Sequence, residues 1–363
     1  MKKLKVAIIG QGRSGRDIHG HYFKSDSNTQ YEVVAVVDAD ALRRERALTE
    51  YPGCQVYADY KELFGRDDLD LVVNSTFSHM HYYVTKDLLL HKFNVLVEKP
   101  MARSYFECCD LMETAKANNV KLAVFQQSFL APHYLETLKF LETGKIGHVL
   151  QISIHYNGFG RRWDWQTLQN KLGGSVYNTG PHPIGLALGF LDFHKETKVV
   201  YSKLACGLTS GDAEDYAKII LTAPGKPLVD LEISSMDAYS PYTFKIMGTK
   251  GTYQCTTAEF KAKYVPDGEN AEQPVQEAFL KDEEGYPIYC SENLITKEEE
   301  ATFEGSAFTS ASHLFYTSLY EHITAGAPLA VPAEYAARIV NVIETVHGQN
   351  PLPVKYLSSA MEH

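Results

Sequence analysis

Residues 4–15 read LKVAIIGQGRSG, a short apolar run followed at once by glycines at 10, 12 and 15. The run has the length and composition of a strand buried on both faces, and the glycine spacing is G-x-G-x-x-G. Each glycine has a separate task in such a loop. Gly10 permits a tight turn, Gly12 lets a pyrophosphate approach the backbone, and Gly15 lets the following helix pack on the strand. Gln11, Arg13 and Ser14 fill the positions between them, where the N–H groups of a helix start are unpaired and attract anions. The spacing therefore predicts strand, phosphate-binding loop and helix in that order.

The next strand-like run, YEVVAVVD at 31–38, ends in Asp38, 23 residues after Gly15. A carboxylate there accepts both hydroxyls of an adenosine ribose, which favours NAD over NADP. Arg43 and Arg44 follow closely and are placed to pair with a 2′-phosphate, so NADP stays open as the second choice. Further runs at 69–76 (LDLVVNST), 93–99 (FNVLVEK) and 120–126 (VKLAVFQ) alternate with amphipathic stretches at 81–92 and 104–119. This rhythm predicts an α/β, doubly wound parallel sheet of the Rossmann type over residues 1–124. Ligands of such sheets sit at the carboxyl ends of the strands, which singles out Ser75, Thr76, Glu98, Lys99 and Gln126. Pro100 holds Lys99 extended, so that its side chain projects from the strand end.

Beyond residue 125 the pattern changes. Runs at 148–157, 197–206, 213–223, 227–236 and 242–255 follow one another with few helices between them, several alternating in period two. Residues 125–363 are therefore expected to form an α+β domain on a large, mainly antiparallel sheet with one open face. Two helices close the chain at 312–326 and 332–348, and residues 257–307 are expected to form loops and short strands.

Composition narrows the function classes. The 363 residues carry a formal charge of -10, which argues against a nucleic-acid or anionic-membrane surface and favours a small neutral or cationic ligand. No apolar run reaches the roughly 20 residues of a membrane span, and the first one is too short for a signal peptide. The six cysteines are scattered without metal-type spacing and read as reduced cytoplasmic thiols; no combination of His, Asp and Cys suggests a metal site.

One stretch is punctuated unusually: GGSVYNTGPHPIGLALGF at 173–190 sets His182 between two prolines before an apolar helix. Together with GQGRSG, Thr76 and His81, VEKP at 97–100, TGKIGHVLQI from 143 and MGTKGT at 247–252, it resembles the Gfo/Idh/MocA oxidoreductases over nearly the whole chain. The resemblance implies that Lys99 and His182 face each other across a nicotinamide, with His81 near the cofactor and the second sheet as the cleft floor. In that arrangement His182 takes the hydroxyl proton while Lys99 stabilises the developing alkoxide. Many relatives carry Asp four residues before the histidine, where this chain has Asn178, and often arginine at the place of Gln127-Ser128. The latter lowers the expectation of an anionic substrate.

The two tryptophans lie together in RRWDWQ, and Arg162, Trp163 and Asp164 have the mix of ring faces and charge that sugar sites use. Tyr156 and Asn157 close the preceding strand and are candidates for the same cleft. Three functions follow. The first is an NAD-dependent dehydrogenase acting on a secondary hydroxyl of a sugar, glycoside or cyclitol. The second is a redox-neutral glycoside hydrolase working by transient oxidation, and the third a non-catalytic dinucleotide-binding sensor. An open sheet face and the family's habit imply a homodimer or homotetramer.

Overall fold

The computed structural model describes residues 2–306 and 308–356. Its first layer is a six-stranded parallel sheet: β1 (Leu4–Ile9), β2 (Tyr31–Val37), β3 (Gln55–Tyr57), β4 (Leu71–Asn74), β5 (Val95–Val97) and β6 (Leu122–Val124). The order is β3-β2-β1-β4-β5-β6, so the chain direction across the sheet reverses between β1 and β4 and opens a crevice at their carboxyl ends. The strands are short and nearly all buried because helices cover both faces, which is why they read as continuous apolar runs. β3 is an edge strand of three half-exposed residues and carries no such signal.

The glycine loop leads into a π-helical turn, Arg13–His19, and then α1 (Gly20–Phe23). α2 (Ala41–Glu50) is capped by Asp40, whose side chain accepts from the Leu42 N–H at 2.9 Å. α3 (His81–Leu90), α4 (Tyr105–Asn118) and α5 (Pro132–Glu142) complete the first half's helices and the passage to the second. Ser104 caps α4, and Asn119 ends it in the left-handed conformation.

The second sheet has eight strands. β7 (Val149–Asn157) is followed by α6 (Ser175–Asn178) and α7 (Pro181–Phe190), then by β8 (Lys198–Ala205), β9 (Tyr216–Thr222), β10 (Leu228–Ser234), β11 (Phe244–Gly248), β12 (Gly251–Cys255), β13 (Glu259–Tyr264) and β14 (Lys297–Thr302). Every neighbouring pair is antiparallel except β7 with β10. Ile152, Ile154, Ile219 and Leu231 are buried towards the helices. The alternate residues His155, Glu232 and Lys218 stand in register on the other face as a polar row.

α8 (Thr309–Ala325) and α9 (Ala333–Gln349) return to the first sheet. Phe315, Tyr316, Leu319 and Tyr320 of α8 join a core containing Val6, Ile8, Val36 and Val73, whereas Ala333, Ala336, Ala337 and Val340 of α9 join Ala7, Ile9, Val72 and Val97. The parallel sheet is thus held between the last two helices of the chain. Among the described residues no helix is long and apolar enough to cross a membrane.

Candidate active site

The loop after β1 has the shape its glycines predict. Gly10 has φ +88°, and a Cβ on it would stand 2.5 Å from the Ser75 carbonyl oxygen. A Cβ on Gly15 would run into the Gly10 carbonyl, while around Gly12 the nearest atom is Arg43 Nη1 at 4.0 Å. Two glycines therefore close the loop on the strand and the third keeps a space open. Ser75 lies beneath, its hydroxyl donating to the Ile9 and Gly10 carbonyls at 2.7 and 2.9 Å.

Asp38 ends β2 beside this space. Its carboxylate accepts from the Gln11 N–H at 2.7 Å and the Asp40 N–H at 2.9 Å, with Arg43 at 3.4 Å. Arg44 donates to the Asp38 and Ala39 carbonyls and is thereby committed to the backbone. The buried side-chain amide of Gln11 has no partner for either polar atom, nor has Gln126 Oε1. Such atoms are costly to bury unpaired. The open cradle at Gly12 and the orphaned amides fit a dinucleotide, which Gly10 to Gly15 and Asp38 would hold. Arg13 and Ser14 begin the π-helical turn at its edge, Arg13 exposed.

Thr76 donates its hydroxyl to Asn74 Oδ1 at 2.7 Å. His81 is buried, with Nδ1 2.7 Å from the Pro100 carbonyl and Nε2 3.1 Å from that of Thr76. Both ring nitrogens are engaged by backbone, so His81 ties the β4 and β5 loops together rather than presenting itself to a ligand.

Beyond β5, Glu98 is buried with Oε1 3.0 Å from His19 Nε2 and Oε2 accepting from the Lys99 N–H at 3.1 Å. Burial pushes this carboxyl up, but the contact with His19 and the charge of Lys99 prevail and hold it at about 2. His19 Nδ1 is in turn 2.7 Å from the Tyr316 hydroxyl of α8. No residue pattern marked His19, because its partners come from β5 and from the far end of the chain.

Lys99 Nζ donates to the Asn178 carbonyl, the last residue of α6, at 2.7 Å. Burial first, and then the positive charges of Arg13 and Arg162, lower the proton affinity of this ammonium against the opposing pull of Glu98. Four residues on, His182 lies in the first turn of α7 with Nδ1 3.3 Å from the Ser128 hydroxyl. Burial and the Lys99 charge depress its imidazole to about 3. Desolvation in the first turn of α7 thus weakens His182 as the proton acceptor that the resemblance implies.

The structure separates other residues that the sequence had grouped. Trp163 is 80% exposed, and it is Trp165 that packs edge-on against Phe77 with ring centroids 5.0 Å apart. Exposed Asp164 caps the short 3-10 turn Trp165–Thr167 through the Gln166 N–H. Tyr156 packs on the core of the second sheet, and Asn157 bridges Glu232 and Asp237 at 2.9 Å each. Trp163 and Asp164 thus face solvent and Tyr156 faces the second core. Arg162 and Asn178 are joined through Gln166, which the sequence did not reveal.

These last three residues line a small open cleft with Thr179, Glu214 and Asp215. His155, Glu232 and Asp237 also offer ligand atoms within 4.8 Å of one another, a group invisible to spacing because its members come from different strands. The Asn157 amide donates to both of its carboxylates at 2.9 Å, and Lys218 lies 3.5 Å from Glu232.

Family models match both halves: "Oxidoreductase family, NAD-binding Rossmann fold" over residues 4–126 and "GFO/IDH/MocA C-terminal domain" over 134–254. An uncharacterized oxidoreductase of Schizosaccharomyces pombe is 29% identical over 262 residues, 70% of each chain. A Bacillus subtilis protein named scyllo-inositol 2-dehydrogenase (NADP(+)) is 22% identical over 349 residues, 94% of this chain and 92% of that one. Among solved structures, an NAD-binding protein from Listeria innocua superimposes with a TM-score of 0.78 at 20% identity, covering 96% and 98% of the two chains.

Proposed function

The chain belongs to the GFO/IDH/MocA oxidoreductase family, and on that premise we propose that it is an NAD-dependent dehydrogenase for a secondary hydroxyl of a sugar, glycoside or cyclitol. The observation that carries the proposal is the meeting of Lys99 with Asn178. A lysine from the carboxyl end of a parallel strand bonds the backbone of the helix just before His182, beside the orphaned amides of the dinucleotide cradle. Bound NAD would supply the hydride acceptor, and the residues supply position and proton handling.

Lys99, whose ammonium is destabilised by burial, takes the hydroxyl proton as the free amine and, once protonated, hydrogen-bonds the substrate oxygen. His182 stays neutral and hydrogen-bonds the same oxygen, oriented by Ser128. Glu98 balances the ammonium from a buried position, Oε2 accepting from the Lys99 N–H and Oε1 lying 3.0 Å from His19 Nε2. Asp38 supports NAD as the preferred cofactor, because Arg44 is tied to carbonyls and Arg43 to Asp38 itself.

The face of the second sheet opposite its helices is where a homodimer or homotetramer would dock, although His155, Glu232 and Lys218 make part of it polar; light scattering on the purified chain tests the assembly. The direct test of the activity is NADH absorbance with NAD and a panel of sugars, glycosides and inositols, with aglycone release followed in parallel. NADH growth with one class is the expected outcome. Aglycone release without net NADH replaces the dehydrogenase by the redox-neutral hydrolase, and NAD binding without either product leaves the sensor.

A further inference from the structure

Four side chains and one backbone carbonyl form a directional hydrogen-bonded line at the cleft. The Arg162 guanidinium donates to Gln166 Oε1, Gln166 Nε2 donates to Asn178 Oδ1 at 3.2 Å, and Lys99 Nζ donates to the Asn178 carbonyl at 2.7 Å. An isolated amide can be turned over without changing its outline, but here the orientation is forced. A guanidinium only donates, so Gln166 must face it with oxygen; Gln166 then offers nitrogen, and Asn178 must meet it with oxygen. Each acceptor in the line already receives one hydrogen bond within it, whereas several donors receive no partner there. What remains for a ligand is donors: the Asn178 Nδ2 hydrogens, the other guanidinium N–H groups of Arg162 and the remaining Lys99 protons.

The acidic residues of the same wall direct their oxygens away from this line. Asp215 accepts from the Gly207, Leu208 and Thr209 N–H groups at 2.6, 2.8 and 2.6 Å. Glu214 accepts from the Val176 N–H at 2.8 Å and lies 3.4 Å from His347 Nε2. Both are occupied in holding the backbone. An aspartate in place of Asn178 would put a second acceptor and a negative charge into the middle of the line; the amide adds neither.

Resting on the dehydrogenase reading, we infer that the substrate carries a carboxylate, seated against Arg162, Gln166 and Asn178 while its neighbouring secondary hydroxyl meets Lys99. A carboxylate only accepts, and its planar pair of oxygens matches a guanidinium fork. This local pattern overrides both the net charge of the chain and the absence of arginine at 127–128, which favoured a neutral ligand.

The test is binding rather than turnover. With NADH saturating, calorimetry on the full chain compares gluco-, galacto- and manno-configured uronates with the corresponding neutral methyl glycosides and hexose 6-phosphates. At least one uronate is expected to bind about tenfold or more tightly than both counterparts. Asn178→Asp and, separately, Arg162→Gln should each weaken uronate binding about tenfold more than they weaken binding of the neutral sugar. Arg162 is exposed, so its variant remains informative even if Asn178→Asp fails to fold. Neutral sugars binding as tightly as every uronate, sugar phosphates binding more tightly than all of them, or a preference unchanged in Arg162→Gln would each overturn the inference. Uronate binding without NADH formation from NAD would instead defeat the dehydrogenase reading and leave the carboxylate site standing.

Discussion

Lys99 is the residue on which binding and chemistry separate. Its ammonium reaches the second half of the chain through Asn178, whereas the dinucleotide cradle is built from β1, β2 and the loop between β1 and α1. Lys99→Ala should therefore lower turnover by about 10²- to 10⁴-fold, the usual worth of a positioned proton-transfer group, and leave NAD affinity within about threefold. Steady-state rates beside a fluorescence titration of NADH decide it; an equal loss in both would remove Lys99 from the reacting atoms. A second residue makes a prediction about stability. Burial alone would lower the proton affinity of His347, but Glu214 overcomes it and the net shift is upward. A histidine bound more tightly to its proton in the folded chain stabilises fully below the unfolded value of about 6.5, and the contribution disappears as pH rises through the folded value. Urea melts should show stability declining upward from about pH 6.5, with that part of the slope absent in His347→Gln.

At the scale of elements, the glycine loop makes the sharpest separation between fold and function. Gly12 has an ordinary φ of -74° and its Cβ position is open, so Gly12→Ala costs the folded chain little and restricts the unfolded one. Its thermal midpoint should be unchanged or slightly raised, while NAD affinity falls about tenfold or more because the methyl occupies the cradle. Gly15→Ala, whose methyl collides with the Gly10 carbonyl, should lower both. This loop was fully legible in the sequence because its conformation is set by residues that are neighbours in the chain. The parallel strands were legible for a similar reason, burial on both faces leaving an unbroken apolar run; β3, three residues at a half-exposed edge, left no trace. Sequence adjacency misled at RRWDWQ, since it does not say which side chains of an irregular loop turn inward. Trp163 turns out and Gln166 turns in. Nothing in an isolated glutamine signals a role that exists only between Arg162 and Asn178. His19 was hidden likewise, its meaning lying in Glu98 and Tyr316.

At the scale of the whole molecule, the proposed division at residue 124 separates sheets but not cores. One face of the parallel sheet is covered by Phe315, Tyr316, Leu319 and Tyr320 from α8, and the other receives Ala333, Ala336, Ala337 and Val340 from α9. Ile339, Val342, Ile343 and Val346, on the opposite side of α9, belong to the core of the second sheet. The first 126 residues alone would therefore expose apolar surface on both faces, a condition that favours aggregation over folding. A fragment ending at 126 should show no cooperative melt, and the full chain should unfold in one transition seen identically by far-ultraviolet circular dichroism and tryptophan fluorescence. Ile339→Ala gives the quantitative form of the argument. Ile339 is fully buried and meets the space above Gly185 of α7, so truncation opens a cavity worth about 2 to 5 kcal/mol. If α9 unites the two halves, that loss moves the whole transition as one. If the variant instead splits the melt into two phases, with the first sheet unfolding where it did before, the halves are independent and the chain's last helix serves only the second.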